Sequence, residues 1–288
     1  VLYFAYGSNL DRIDRDRWCA SRGFGPVRLE PAGIALLPDR RLAFTHFSAT
    51  RRGGVLDVPP APGCAVAGVL FRDVAWEALD RKEGEGHLYR RVTTTALTDG
   101  GDEMEVLTYE VDPPARRRFV APDAAYLEIV RRGYAAFGLD AAPLLAAARD
   151  EPHDGPVRHV FVYGTLRRGE CRHPVLLRHR AHGCGEGRVE GRLLDLGPYP
   201  TLSPGRSEVP VRGELYAFDD LTALIAAADR VEGFTGFEAA GSHYRRRIVS
   251  VARDGGPPVL AWTYLLSGDA PGARLIVSGD WRRREDVP

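Results

Sequence analysis

Two glutamates, Glu83 and Glu232, share one local context: Asp80-Arg81-Lys82-Glu83-Gly84 and Asp229-Arg230-Val231-Glu232-Gly233. In each the glycine is placed to stop a helix, so the carboxylate falls at the helix C-terminus. That end carries partial negative charge, which disfavours a further anion and drives a carboxyl pKa upward. A solvated surface glutamate gains nothing there, whereas a general base working near neutral pH does. The bland alternative is a surface glutamate that happens to precede a capping glycine. Recurrence of the pattern turns the balance towards chemistry, and it selects Glu83 over Glu85, whose counterpart is Phe234.

A second feature also recurs. Tyr6-Gly7-Ser8-Asn9-Leu10 and Tyr163-Gly164-Thr165-Leu166-Arg167 each follow an apolar, strand-like run. Such a turn can present successive backbone N–H groups to an anion or a developing oxyanion. Taken alone it is equally an ordinary tight turn. Arg167 and Arg168 add groups that could bind a carboxylate. Tyr109 and Tyr264, on matching strand-like runs, are placed to bring phenols to the same pockets, although a buried strand tyrosine is commonly just core.

These landmarks occur twice in the same order, with Tyr89-Arg90-Arg91 answered by Tyr244-Arg245-Arg246 and Leu107-Thr108-Tyr109 by Trp262-Thr263-Tyr264. The order predicts two copies of one domain, at residues 1–150 and 158–288, joined by a proline-broken linker over 151–157. Strands are expected at Leu2–Tyr6, Arg41–Phe47, Ala65–Phe71, Arg91–Leu97, Glu103–Val111, Glu190–Leu196 and Val211–Phe218. Gly53-Gly54 and Pro59–Gly63 read as breaks. Helices are expected from Asp73 to Glu83, from about Pro122 through Phe137, at Pro143–Arg149, and from Asp219 or Asp220 to Glu232. The tail from Asp280 reads as frayed or loosely docked. Mixed strands and helices without a strict βαβ rhythm predict an α+β fold.

With 39 basic and 39 acidic residues the formal net charge is zero, so there is no general pull towards nucleic acid or an anionic membrane. No apolar run approaches a membrane span, and residue 1 already lies in a strand-like run where a signal peptide would begin; a cytoplasmic protein is expected. Cys19, Cys64, Cys171 and Cys184 have neither CxxC spacing nor matched positions, which favours reduced thiols. Lys82 is the single lysine among many arginines.

At these residues the chain resembles the γ-glutamylcyclotransferases. Tyr6-Gly7-Ser8-Asn9-Leu10, Leu79-Asp80-x-x-Glu83-Gly84 and the run Pro122, Tyr126, Gly133, Gly138-Leu139 are similar to the branch acting on γ-glutamyl amino acids. Tyr163-Gly164-Thr165-Leu166-Arg167-Arg168-Gly169, His173 and Tyr199-Pro200-Thr201-Leu202 are similar to the γ-glutamylamine cyclotransferase branch. The resemblance implies two domains, each a small mixed β-barrel with flanking helices and a pocket between the Tyr-Gly loop and the glutamate. It implies a small γ-glutamyl substrate, no cofactor, and release of 5-oxoproline with Glu83 or Glu232 as acid and base. Packing of the two domains as a pseudo-dimer is a further expectation.

Three other readings compete. His173, His179, His182 and Cys184 could gather around zinc, but their spacing fits no standard signature. Arg116-Arg117-Arg118, Arg245-Arg246-Arg247 and Arg282-Arg283-Arg284 could bind nucleic acid, but with zero net charge they read as solvated faces. The stronger competitor is a binding or scaffold protein in which one or both copies have lost turnover.

Overall fold

The computed structural model describes residues 1–285 except Asp73, 85–87, Asp99, Asp154, 219–220, Ala240 and Asp269, and omits the side chains of His182 and Cys184. The expected helix caps Asp73, Asp219 and Asp220 lie outside the described residues. The chain divides into two compact units, Val1–Pro156 and Val157–Pro288.

The first unit runs β1 (Leu2–Ala5), α1 (Arg12–Ser21), β2 (Glu30–Arg40), β3 (Ala43–Ser48), β4 (Gly53–Asp57), β5 (Pro60–Arg72), α2 (Trp76–Glu83), β6 (Tyr89–Thr98), β7 (Glu103–Val111), α3 (Ala124–Ala136) and α4 (Ala142–Ala148). Its barrel closes in the order β1-β5-β2-β6-β7, with β1 parallel to β7. The second unit runs β8 (His159–Val162), α5 (Pro174–Leu177), β9 (Ala181–Val189), β10 (Arg192–Asp195), β11 (Pro200–Ser203), β12 (Val211–Phe218), α6 (Leu221–Glu232), β13 (Tyr244–Arg253), β14 (Gly256–Leu266) and β15 (Arg274–Leu275). Its barrel closes in the order β12-β8-β14-β13-β9, with β8 parallel to β14. Replacing each strand by its counterpart turns one order into the other, so the two folds are the same α+β barrel.

The same polar bonds recur inside both barrels. Thr108 Oγ1 donates to the Phe4 carbonyl and Thr263 Oγ1 to that of Phe161, each at 2.9 Å. Close strand approaches recur too. A Cβ on Gly68 would lie 2.5 Å from the Ala5 carbonyl oxygen, and one on Gly213 would lie 2.4 Å from that of Val162. Phe4 and Phe161, both fully buried, fill the space over these two glycines.

Three expectations fail for identifiable reasons. Gly53-Gly54 is no break; it opens β4, whose five residues are all buried. The bare glycine backbone lets residues 120–123 pass against it, with Gly54 N–H donating to Ala121 O at 2.8 Å. Pro59–Gly63 likewise runs mostly into β5, because proline is tolerated at a strand's start. Nor is the tail loose: Trp281 is only 3% exposed, Asp280 accepts from Arg167 at 2.5 Å, and Arg282 reaches Glu214 at 3.1 Å. The arginine runs also have inward partners, as Arg116 with Asp57 and Arg246 with Asp229. Among the described residues, no helix is long and apolar enough to cross a membrane.

Gly68→Ala and Gly213→Ala should each destabilise their barrel by about 1–3 kcal/mol through overpacking. Denaturant unfolding of each variant measures this, and unchanged midpoints would contradict the described approach.

Candidate functional site

Helices α2 and α6 end on Glu83 and Glu232, and the glycine after each is left-handed, at φ 63° for Gly84 and 65° for Gly233. A side chain would be strained there, so each helix stops at the carboxylate. One turn earlier, the aspartate of each motif faces the barrel. Tyr109 Oη donates to Asp80 Oδ1 at 2.6 Å and Tyr264 Oη to Asp229 Oδ1 at 2.7 Å. Arg91 pairs with Asp80 at 2.8 Å and Arg246 with Asp229 at 3.0 Å. These aspartates therefore anchor helices and are not second acids. Tyr109 and Tyr264 line the two cavities, while their hydroxyl protons are engaged.

In the first unit one cavity is lined by Tyr6, Gly7, Ser8, Asn9, Glu83 and Tyr109, with Tyr89 and Tyr126. Tyr6 Oη donates to Tyr109 O at 2.7 Å, tying the loop to β7. Residues Ser8–Leu10 form a 3₁₀ turn in which Leu10 N–H bonds Gly7 O and Asp11 N–H bonds Ser8 O. The N–H groups of Ser8 and Asn9 precede the first bond within this turn and are the ones it leaves to a ligand. Leu10 does not line this cavity: it is 2% exposed and packs against α3 at Gly133.

Asn9 is the most constrained residue of the loop. Its Nδ2 donates to Glu83 Oε1 and to Tyr3 Oη, each at 2.8 Å, which fixes the amide's orientation. Its Oδ1 is then left as a buried acceptor with no hydrogen-bond partner among the described residues, in a residue 3% exposed that lines the cavity. A buried acceptor left unmatched is costly, and a ligand donor would remove that cost.

In the second unit a cavity of about 400 Å³ is lined by Tyr163, Gly164, Thr165, Leu166, Glu232 and Tyr264, with Arg172, Tyr199, Pro200 and Tyr244. Tyr163 Oη donates to Tyr264 O at 2.5 Å, repeating the first unit. Arg167 is not brought to this cavity. It is 4% exposed and held by Asp280 at 2.5 Å and Glu214 at 3.7 Å, because the docked tail supplies the carboxylate it pairs with. The cation of this site is instead Arg172, 3.9 Å from Glu232.

Leu166 stands where Asn9 stands in the first unit, so no matching amide holds Glu232. Burial pushes the Glu232 carboxyl up to about 6, against the opposing pull of Arg172. The residues missed in the sequence include Tyr89 and Tyr244, which line the two cavities as a matched pair. Their recurrence was visible and would have found them. Arg172 and Tyr126 had no such signal. Among the described residues no group of three or more His, Cys, Asp or Glu gathers as a metal site; the side chains of His182 and Cys184, two of the four zinc candidates, lie outside them, and His173 Nδ1 lies 3.1 Å from Leu166 O.

The family model described as gamma-glutamyl cyclotransferase, AIG2-like, matches residues 3–128 and again residues 160–283. A Vibrio cholerae protein named "Putative gamma-glutamylcyclotransferase" is 37% identical over 125 residues, 43% of this chain and 96% of its own length. The human gamma-glutamylaminecyclotransferase is 34% identical over 125 residues, 40% of this chain and 67% of its own. A solved structure, YkqA from Bacillus subtilis, is 26% identical with a TM-score of 0.43, covering 53% of this chain and 55% of its own. With the match falling once on each barrel, this chain belongs to the gamma-glutamyl cyclotransferase family and carries two of its domains in tandem.

Proposed function

We propose that the chain cleaves γ-glutamyl amides by cyclisation, with Glu83 and Glu232 as the acid–base groups of two separate sites. The observation that carries this reading is that in both units the Tyr-Gly loop and the helix-terminal glutamate line one cavity. A γ-glutamyl compound holds its own nucleophile. Its α-ammonium, with a pKa of about 8, gives a proton to the glutamate, and the free amine attacks the γ-carbonyl carbon. A ring C–N bond forms, and the γ-amide C–N bond breaks as the glutamate returns the proton to the leaving nitrogen. The products are 5-oxoproline and an amine, with no water consumed.

The surrounding groups suit these steps. The Asn9 Oδ1 acceptor fits an N–H of the substrate amine, and the amides of Ser8 and Asn9 fit its carboxylate or the oxyanion. Ring closure is intramolecular, so folding the substrate supplies much of the rate. Release of 5-oxoproline from a panel of γ-glutamyl amino acids and amines tests the proposal. Glu83→Gln and Glu232→Gln should each abolish one component and the double variant both. Undiminished release in the folded double variant would overturn the assignment.

The Glu232 carboxyl gives two further expectations. In a Glu83→Gln background, kcat/KM should rise with pH through about 6, as Glu232 loses its proton. A profile flat from pH 5 to 7 would remove Glu232 as the base. Stability runs the other way. Because the folded pKa lies above the ordinary 4.5, this group's stabilising contribution is complete below 4.5 and is lost as the pH rises through about 6. Glu232→Gln should therefore be about 2 kcal/mol more stable than the parent at pH 7.5 and equal to it near pH 4. Urea midpoints at the two pH values measure the difference.

A further inference from the structure

The first cavity opens onto a much larger space, with which it shares four lining residues. A groove of about 2110 Å³ shares Ser8, Glu83, Tyr89 and Tyr126 with it, so the groove begins where an amine would leave the candidate base. One wall is α1, whose residues Asp14, Arg17, Trp18 and Ser21 follow a spacing of three and four and lie on one helix face. The other wall is the turn between β3 and β4, which contributes Arg51. In the second unit, the segment after the Tyr-Gly loop holds only the four-residue α5.

The groove's chemistry is distinctive. Trp18 and Phe24 stack with ring centroids 5.9 Å apart and planes within 13°. Beside them Arg17 and Arg22 are exposed, and among the described residues neither has an ion pair or a side-chain hydrogen bond. Of the described carboxylates of the walls, Asp14 is engaged by Arg51 at 2.7 Å and Lys82 at 3.4 Å, Asp80 by Arg91, and Glu83 by the Asn9 amide at 2.8 Å. The groove thus offers aromatic surface and uncompensated positive charge.

We propose that this groove is a leaving-group subsite, which makes the first site selective for γ-glutamyl conjugates of aromatic, carboxylate-bearing amines. The ring of the leaving amine stacks on Trp18 and Phe24, and its carboxylate is held by Arg17 and Arg22. The proposal rests on the cyclotransferase reading of Glu83. The second site, with Val231 in place of Lys82 and Cys171 in place of Asp14, has a cavity of about 400 Å³ and no such selection.

The test uses Glu232→Gln protein, in which only the first site turns over, with γ-glutamyl-tyrosine, γ-glutamyl-tyramine and γ-glutamyl-alanine. The tyrosine conjugate should exceed both others in kcat/KM by about tenfold. Adding Arg17→Gln and Arg22→Gln should erase its margin over tyramine, and Trp18→Ala its margin over alanine, with folding checked by thermal melting. Equal turnover of tyrosine and tyramine conjugates, or margins untouched by these substitutions, would overturn the subsite. Should no conjugate be turned over, calorimetric binding of γ-glutamyl-tyrosine and γ-glutamyl-tyramine to Glu83→Gln/Glu232→Gln protein, with and without the arginine substitutions, separates the cases. Preference for tyrosine that disappears with the arginines would uphold the subsite while the reaction failed; no preference would end the proposal.

Discussion

A hydrogen bond from a barrel tyrosine to an aspartate one turn before the glutamate holds each candidate site together. In the first unit it runs from Tyr109 to Asp80, in the second from Tyr264 to Asp229. A bond to a charged partner contributes about 1.5–3 kcal/mol, and it adds to the buried Leu79 of α2 and the buried Leu224 and Ile225 of α6 in fixing each helix end. The backbone carbonyl of the same tyrosine accepts from Tyr6 or Tyr163 at the start of the Tyr-Gly loop. One residue therefore ties strand, loop and helix end at a single point. The loop's amides and the helix-terminal carboxylate share a cavity as a consequence of that tie.

Around this repeated frame the two copies surround their carboxylates differently. In the first, an amide fixed by two hydrogen bonds pins Glu83 and leaves one acceptor over. In the second, Leu166 offers nothing polar, so burial raises Glu232, and Arg172 alone opposes it from 3.9 Å. The first arrangement orients its carboxylate, and the second desolvates its own.

What the sequence revealed was whatever repeats or whatever faces a core. Glu103–Val111 and Val211–Phe218 match their expected bounds because each is a short run rich in apolar and aromatic residues that its barrel buries. The long α3 was legible because Tyr126, Val130 and Tyr134 bury one stripe. Helix α1 was not, since its inward residues include the buried Asp14 and Arg15, and a helix bordering a polar site has no apolar stripe to read. β9 was hidden by its glycines. The docked tail depended on a pairing between Arg167 and Asp280 that no local pattern encodes. The same holds for Arg167: a basic residue beside a site-like loop looks available until its distant partner, Asp280, is known.

The buried cluster at the edge of the first site explains why its lysine stands apart. Lys82 keeps only 4% of its side chain exposed, and burying an ammonium is tolerable only beside a lasting anion. Burial alone would raise the Asp14 carboxyl, but the hydrogen bond from Arg51 and the charge of Lys82 outweigh it and hold Asp14 below the ordinary carboxylate range. Asp14 therefore stays charged while carrying two cations, and the cluster is left with one surplus positive charge. It also ties the first turn of α1 to the end of α2 and to the β3–β4 turn, since Asp14, Lys82 and Arg51 come from those three elements. The second copy cannot build this bridge from Cys171 and Val231. The frame that repeats fixes where the carboxylate sits; the charges that do not repeat set what lies beside it, a cationic cluster of Arg51 and Lys82 around Asp14 in the first unit and Arg172 alone beside Glu232 in the second.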